Sequence, residues 1–258
     1  MTAHLADVAR HLDDLLRVRD IPDYPNAING VQVNHRGPVT RIATAVDASA
    51  AAIRGASDAG ANLLVVHHGL FWGGVQPLTG HRYSRIRELF DHDIAVYSAH
   101  LPLDAHPEYG NSRLLADRLA LVVSGGFAHY QGIACGVRGE ADVATVDLLA
   151  SADAFARGHG GRAIASPYAP GRRTRRWAIC SGAGASPGIL DEANAHAVDT
   201  LIVGEGPHWT AVDAPERDIV IIYAGHYATE TLGVMAIGAH LSSIFQRPST
   251  FRAAPTGL

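Results

Sequence analysis

The sequence predicts an α/β fold built from two related half-domains, and three observations carry that expectation. Short apolar runs alternate along the chain with Ala-rich amphipathic stretches, the pattern of α/β architecture. A length of 258 residues suits one large domain or two small ones, with ample apolar material for a core. Finally, the plan of residues 40–104 returns in residues 175–230.

Taken in order, MTAHLADVARHLDDLL reads as a charged amphipathic helix rather than a signal peptide. RIATAVD (41–47) has the character of a strand, SAAAIRGASDAG that of a helix, and LLVVH (63–67) that of a buried strand. RIRELFDHD reads as a second helix and IAVYSAH (94–100) as a further strand. NSRLLADRLALV follows as a helix with Asn111 as its N-cap. Residues 155–176 are rich in Gly, Pro and Arg and read as a surface connection, with the arginines at 172–176 in a solvated turn before a strand.

The second half then repeats the first. RRWAICSGAGASPGILDEANAHAVDTLIVGEGPHW (175–209) follows the plan of TRIATAVDASAAAIRGASDAGANLLVVHHGLFW (40–72). Each runs strand, small-residue turn, helix and apolar strand, then a polar tip ending in Trp72 or Trp209. HDIAVYSAHLPLD (92–104) likewise resembles RDIVIIYAGHYATE (217–230). With one inserted residue His100 falls on His226 and Asp104 on Glu230, while His68 falls on Glu205. We therefore expect half-domains at 1–124 and 125–258, with a site between them where equivalent strand ends meet.

Composition removes several function classes. The net charge of −4 offers no basic field for nucleic acid. All 21 basic residues are arginines, so P-loop and lysine Schiff-base chemistry drop out. No uncharged apolar run approaches the roughly 18–20 residues that span a bilayer. Two cysteines, Cys135 and Cys180, make no disulfide framework, read as buried small hydrophobes and suit the cytoplasm. Histidine, at 15 residues, is where the chemistry should lie.

Four polar tips gather that histidine at strand ends: His67-His68, His100 with Asp104, Gly204-Glu205 with His208, and His226 with Glu230. Adjacent strand residues point to opposite faces, so His67 and His68 share a cavity only if the strand breaks at Gly69. His226 and Glu230 stand four apart at the start of a helix, stacked on one face. His100 and Asp104 share that spacing, but Pro102 argues for a loop there. Imidazole and carboxylate without thiolate suit Zn, Fe, Mn or Ni. Three histidines and two carboxylates exceed what one tetrahedral zinc needs, and suit two ions sharing a carboxylate and water. Histidines such as His11, His35 and His240 read as scattered non-ligands, and CSGAGASPG (180–188) as a tight turn of small residues.

The segments INGVQV (28–33), VVHHG (65–69), YSAHLPLDAHPEYGN (97–111), LIVGEG (201–206) and AGHYATE (224–230) resemble the hexameric dinuclear-metal-centre proteins known as type 2 homologues of GTP cyclohydrolase I. The resemblance covers most of the chain, in the family's short form without a large inserted domain. It implies metal ligands at His67, His68, Asp104, His226 and Glu230, and a toroidal homohexamer. Where the family has proline after the histidine pair, this chain has Gly69.

The reading that follows is a metal-dependent hydrolase with two divalent ions per chain (Fe, Zn or Mn), since a net-positive centre attracts a small anionic nucleotide or phosphoester. His100 and Glu205 stand beside the metals as catalytic proton carriers. The alternative is a non-catalytic scaffold for metal trafficking or regulation. Neither membrane nor nucleic acid is expected as a partner.

Overall fold

The computed structural model describes residues 2–258 and bears out the α/β expectation. The elements run α1 (Leu5–Leu15), β1 (Gly30–Val33), β2 (Ile42–Asp47), α2 (Ala50–Asp58), β3 (Leu63–His68), α3 (Gly80–Asp91), β4 (Ala95–Ser98), α4 (Leu101–Asp104) and α5 (Asn111–Arg118). They continue with β5 (Val123–Tyr130), β6 (Ile133–Ala144), α6 (Thr145–Gly158), β7 (Ile164–Ala165), β8 (Arg173–Cys180), α7 (Pro187–Ala195) and β9 (Thr200–Val203). The chain closes with α8 (His208–Glu216), β10 (Val220–Tyr223), α9 (His226–Thr229), α10 (Thr231–Phe245) and β11 (Ser249–Phe251).

Two compact units divide this chain. The first holds the chain up to Leu103 together with Gly233–Ala254. Its five strands lie in the order β1-β4-β3-β2-β11, all parallel except β1, which runs antiparallel to β4. β2 and β3 are apolar on both faces, as a parallel sheet covered on both sides requires. Ala43, Ala45, Leu64 and Val66 pack with Ile53 and Ala56 of α2 and Leu89 of α3. Ser49 starts α2 by accepting the Ala52 N–H at 3.2 Å.

The second unit holds Asp104–Leu232 and Pro255–Leu258, with six strands in the order β5-β6-β8-β9-β10-β7. β8, β9 and β10 are parallel, and β6 and β7 flank them antiparallel. Strand alternation sends Trp177, Ile179, Ile202 and Ile222 to one face and Ala178, Leu201, Val203 and Ile221 to the other. Each face therefore has its own core.

The repeat is visible in the topology. β2-α2-β3-α3-β4 and β8-α7-β9-α8-β10 each lay three parallel strands side by side in chain order. In both, the third strand is flanked by an antiparallel strand (β1 or β7) that precedes the repeat in the chain. Trp72 and Trp209 both fall between the end of the second strand and the second turn of the helix region that follows. The unit exchange points, Leu103/Asp104 and Leu232/Gly233, differ from the expected 124/125 boundary. The second of these points follows from β11, which returns to the first unit and pairs with β2, placing Ser249 opposite Ile42.

Two local expectations are corrected. Leu101–Asp104 forms one turn of helix rather than a loop, with the Leu103 N–H reaching the His100 carbonyl at 2.9 Å. Pro102 sits in that first turn, where its missing N–H costs nothing. Asn111 opens α5 with Gly110 as the capping position, and its side chain is committed elsewhere. Among the described residues no helix is long and apolar enough to cross a membrane.

Ile202 is fully buried in the middle of the second sheet. Ile202→Ala should lower unfolding free energy by about 2–5 kcal/mol, whereas Val146→Ala, at an exposed site, should stay within about 0.5 kcal/mol. Chemical denaturation of the two variants checks this.

Candidate metal centre

In the first unit, β3 ends on His67 and His68, and their rings come together despite the strand's alternation. The ring centroids are 4.7 Å apart with planes at 48°. His67 Nδ1 donates to the Ala99 carbonyl at 3.0 Å, and His68 Nδ1 donates to Asp47 Oδ1 at 2.9 Å. Asp47 is the residue directly across the β2–β3 pair from His68, so the sheet register itself supplies this contact. His100, two residues past β4, lies 4.9 Å from the His67 ring and 5.6 Å from that of His68. One nitrogen from each of the three rings falls within 4.8 Å of the others.

His100 is fixed by residues far upstream. Its Nδ1 donates to Asp23 Oδ1 at 2.8 Å, and its backbone N–H donates to Asn29 Oδ1 at 2.8 Å. Asp23 also accepts from Asn29 Nδ2 at 2.8 Å and from the Leu101 N–H at 2.9 Å. Burial alone would raise the Asp23 carboxyl, but the bond and charge of His100, with Asn29 and the Tyr24 N–H, hold it below the usual carboxylate range. In all three rings an oxygen acceptor faces Nδ1, so in the neutral ring the Nδ1–H donates to it and Nε2 carries the lone pair. That is how metal-binding histidines are held.

Trp72 closes this cluster on one side, edge-on to His100 at 4.6 Å and to His68 at 5.5 Å. Gly69 has a specific reason to be glycine here. A Cβ at that position would fall 2.2 Å from the Gln32 amide, and Gln32 Oε1 accepts the Leu70 N–H at 2.7 Å. Gln32 therefore braces the turn in place of a stiff residue at 69.

In the second unit, Gly225 turns the chain out of β10 at φ +91° and His226 begins α9. His226 Nδ1 meets Glu205 Oε1 at 2.8 Å, and its Nε2 lies 3.1 Å from Glu230 Oε2. Glu230 is buried, and Gly182 makes room for it: at φ +64°, a Cβ there would fall 2.1 Å from Glu230 Oε1. Asp104, at the end of α4, accepts from Asn111 Nδ2 at 2.9 Å. His208 is exposed at the start of α8. Burial, reinforced by the charges of Asp104, Cys135 and Glu230, pushes the Cys180 thiol upward and keeps it protonated.

The structure thus brings His67, His68 and His100 together in one unit, and Glu205, His226 and Glu230 in the other. Oxygen and nitrogen donors gathered in this way could hold a metal ion. Sequence reasoning missed the residues that hold the donors in place: Asp23, Asn29, Asp47, Asn111 and Gly182. Asp47 had a readable signal, since it ends a strand next to the one carrying the histidine pair.

Without metal, burial would lower the His226 pKa, but Glu230 and Glu205 raise it to about 9. The folded value lies above the free value, so this ion pairing contributes its full stability below about pH 6.5 and loses it as pH rises through about 9. Chelator-treated protein should therefore show a Tm that falls between those pH values, and His226→Gln should flatten the dependence.

Residues 3–254 match the family model described as Duf34/NIF3 (NGG1p interacting factor 3). A Halobacterium salinarum protein named GTP cyclohydrolase 1 type 2 homolog is 40% identical over 259 aligned positions, covering 98% of this chain and 99% of its own. A Deinococcus radiodurans protein of the same name is 38% identical, covering 98% and 94%. Among solved structures, TTHA1606 from Thermus thermophilus superposes with a TM-score of 0.86 at 34% identity over the whole of both chains. The chain belongs to the DUF34/NIF3 family.

Proposed function

We propose that this chain is a dinuclear metal-binding protein that hydrolyses a small anionic substrate of the nucleotide or phosphoester kind. His67, His68, Asp104, His226 and Glu230 would hold two divalent ions per chain. The observation that carries this reading is the shared construction of the donors: imidazoles with Nδ1 engaged by oxygen, and a carboxylate sunk beneath a glycine.

When bound, two such ions polarise a substrate oxygen, lower the pKa of water and draw in an anion. The protein's own part is proton handling. His100, with Nδ1 tied to Asp23, can accept or give a proton only at Nε2. Glu205 sets the orientation of His226 through Nδ1 and, being the more exposed of its two carboxylate partners, can exchange protons with solvent. We place the protein in the cytoplasm, where Cys135 and Cys180 remain free, and, on the family resemblance, in a toroidal homohexamer.

Two measurements test the reading. Elemental analysis of protein purified without added metal should find about two ions per chain. Glu230→Ala should lose most of that metal, and Asp47→Ala, which frees His68 to rotate, should weaken affinity about 10–100-fold. Full metal retention in Glu230→Ala removes Glu230 from the ligand set.

His100→Ala should leave metal content nearly intact while depressing turnover in a nucleotide and phosphoester screen by roughly 10²-fold. Metal loss equal to that of Asp104→Ala would make His100 a ligand instead. Unchanged turnover with intact metal would shift the proton-carrying role to Glu205.

A further inference from the structure

The core-facing stripe of α3 contains two residues that do not belong in a core. An amphipathic helix turns positions i, i+3, i+4 and i+7 inward, and on α3 that stripe reads Arg82, Arg85, Ile86 and Leu89. Leu89 is fully buried and Ile86 packs against the first unit's core. Arg82 and Arg85 are half-buried in the same row.

Neither of these arginines meets a carboxylate among the described residues. Arg82 bonds the Gln76 side-chain oxygen, and Arg85 Nη1 donates to the Ala48 carbonyl at 3.1 Å. By contrast Arg87, on the outer face of the same helix, pairs with Asp91 at 3.1 Å. Half-buried guanidinium groups with only neutral acceptors are poorly compensated for lost hydration. Leu70, Phe71 and Leu78 wall a cavity of 240 Å³ on which both arginines border. That volume lies just below the range of drug-sized ligand pockets, about 300–1,000 Å³, and suits a smaller molecule.

The cavity adjoins the metal-centre residues. Its wall begins at Leu70, two residues past His68. Arg85 holds the Ala48 carbonyl, while the Ala48 N–H donates to the His68 carbonyl at 2.9 Å. We propose that this cavity is a binding subsite for a small organic anion, with a phosphate or carboxylate on Arg82 and Arg85 and an apolar or planar body against Leu70, Phe71 and Leu78. The inference rests on the substrate reading above and narrows it: an anionic group alone is an incomplete ligand.

Isothermal titration of the full-length, metal-loaded protein with phenyl phosphate, benzoate, inorganic phosphate and phenol tests this. Phenyl phosphate or benzoate should bind at least about tenfold more tightly than inorganic phosphate or phenol. Arg82→Met and Arg85→Met should each weaken that binding about tenfold, with circular dichroism and metal content unchanged. Chelator-treated protein should keep the affinity, which separates this subsite from the metal centre. Three results would overturn the proposal: binding indifferent to both substitutions, binding abolished by chelation, or substitutions that alter oligomeric state and leave ligand affinity alone. Absence of turnover or of metal would count against hydrolysis and leave this binding result standing.

Discussion

Each imidazole at the strand ends presents a defined nitrogen because an oxygen acceptor holds the other one. Ala99, Asp47, Asp23 and Glu205 play this part for His67, His68, His100 and His226 respectively. Free histidines rotate and exchange tautomers, so four unsupported rings would offer a shifting set of donors. Two of the supports come from the sheet's own register or its immediate continuation, which ties donor orientation to strand pairing. Anything that slipped β2 against β3 by one residue would take Asp47 from His68. The fold is thus precise where the chemistry needs it to be.

Much of the fold was legible because duplication writes the same pattern twice. Strand, helix and strand recur with apolar runs of matching length, and the topology follows. The later exchange between the units was not legible, because it depends on β11, three residues that pair with β2. Pro102 misled for a different reason: proline breaks a helix interior, but a single turn has no interior. Asn111 has the composition of a cap, yet a buried carboxamide beside Asp104 finds a stronger partner in the carboxylate.

The candidate site divides along the same line. Donors such as His67, His68, His226 and Glu230 could be read because they sit at strand ends with helical or adjacent spacing. Asp23 and Asn29 could not, since they occupy an irregular loop more than 70 residues before the histidine they hold, where no periodicity marks a role. Gly182 was hidden in a run of small residues in which its neighbours look equivalent. Its positive φ and the buried Glu230 carboxylate beside it distinguish that glycine from Gly184 and Gly188.

The return of α10 and β11 to the first unit also orders events at the ribosome. Residues 104–232 form nearly all of the second unit in one continuous stretch, which can settle as it leaves the exit tunnel. The first unit begins emerging earlier, yet its sheet is complete only after Gly233–Ala254 has arrived and β2 has gained its outer neighbour. Until then β2 shows an unpaired apolar edge, the kind of surface that recruits other chains. The nascent protein therefore carries an open sheet edge from early in the message and covers it near the end.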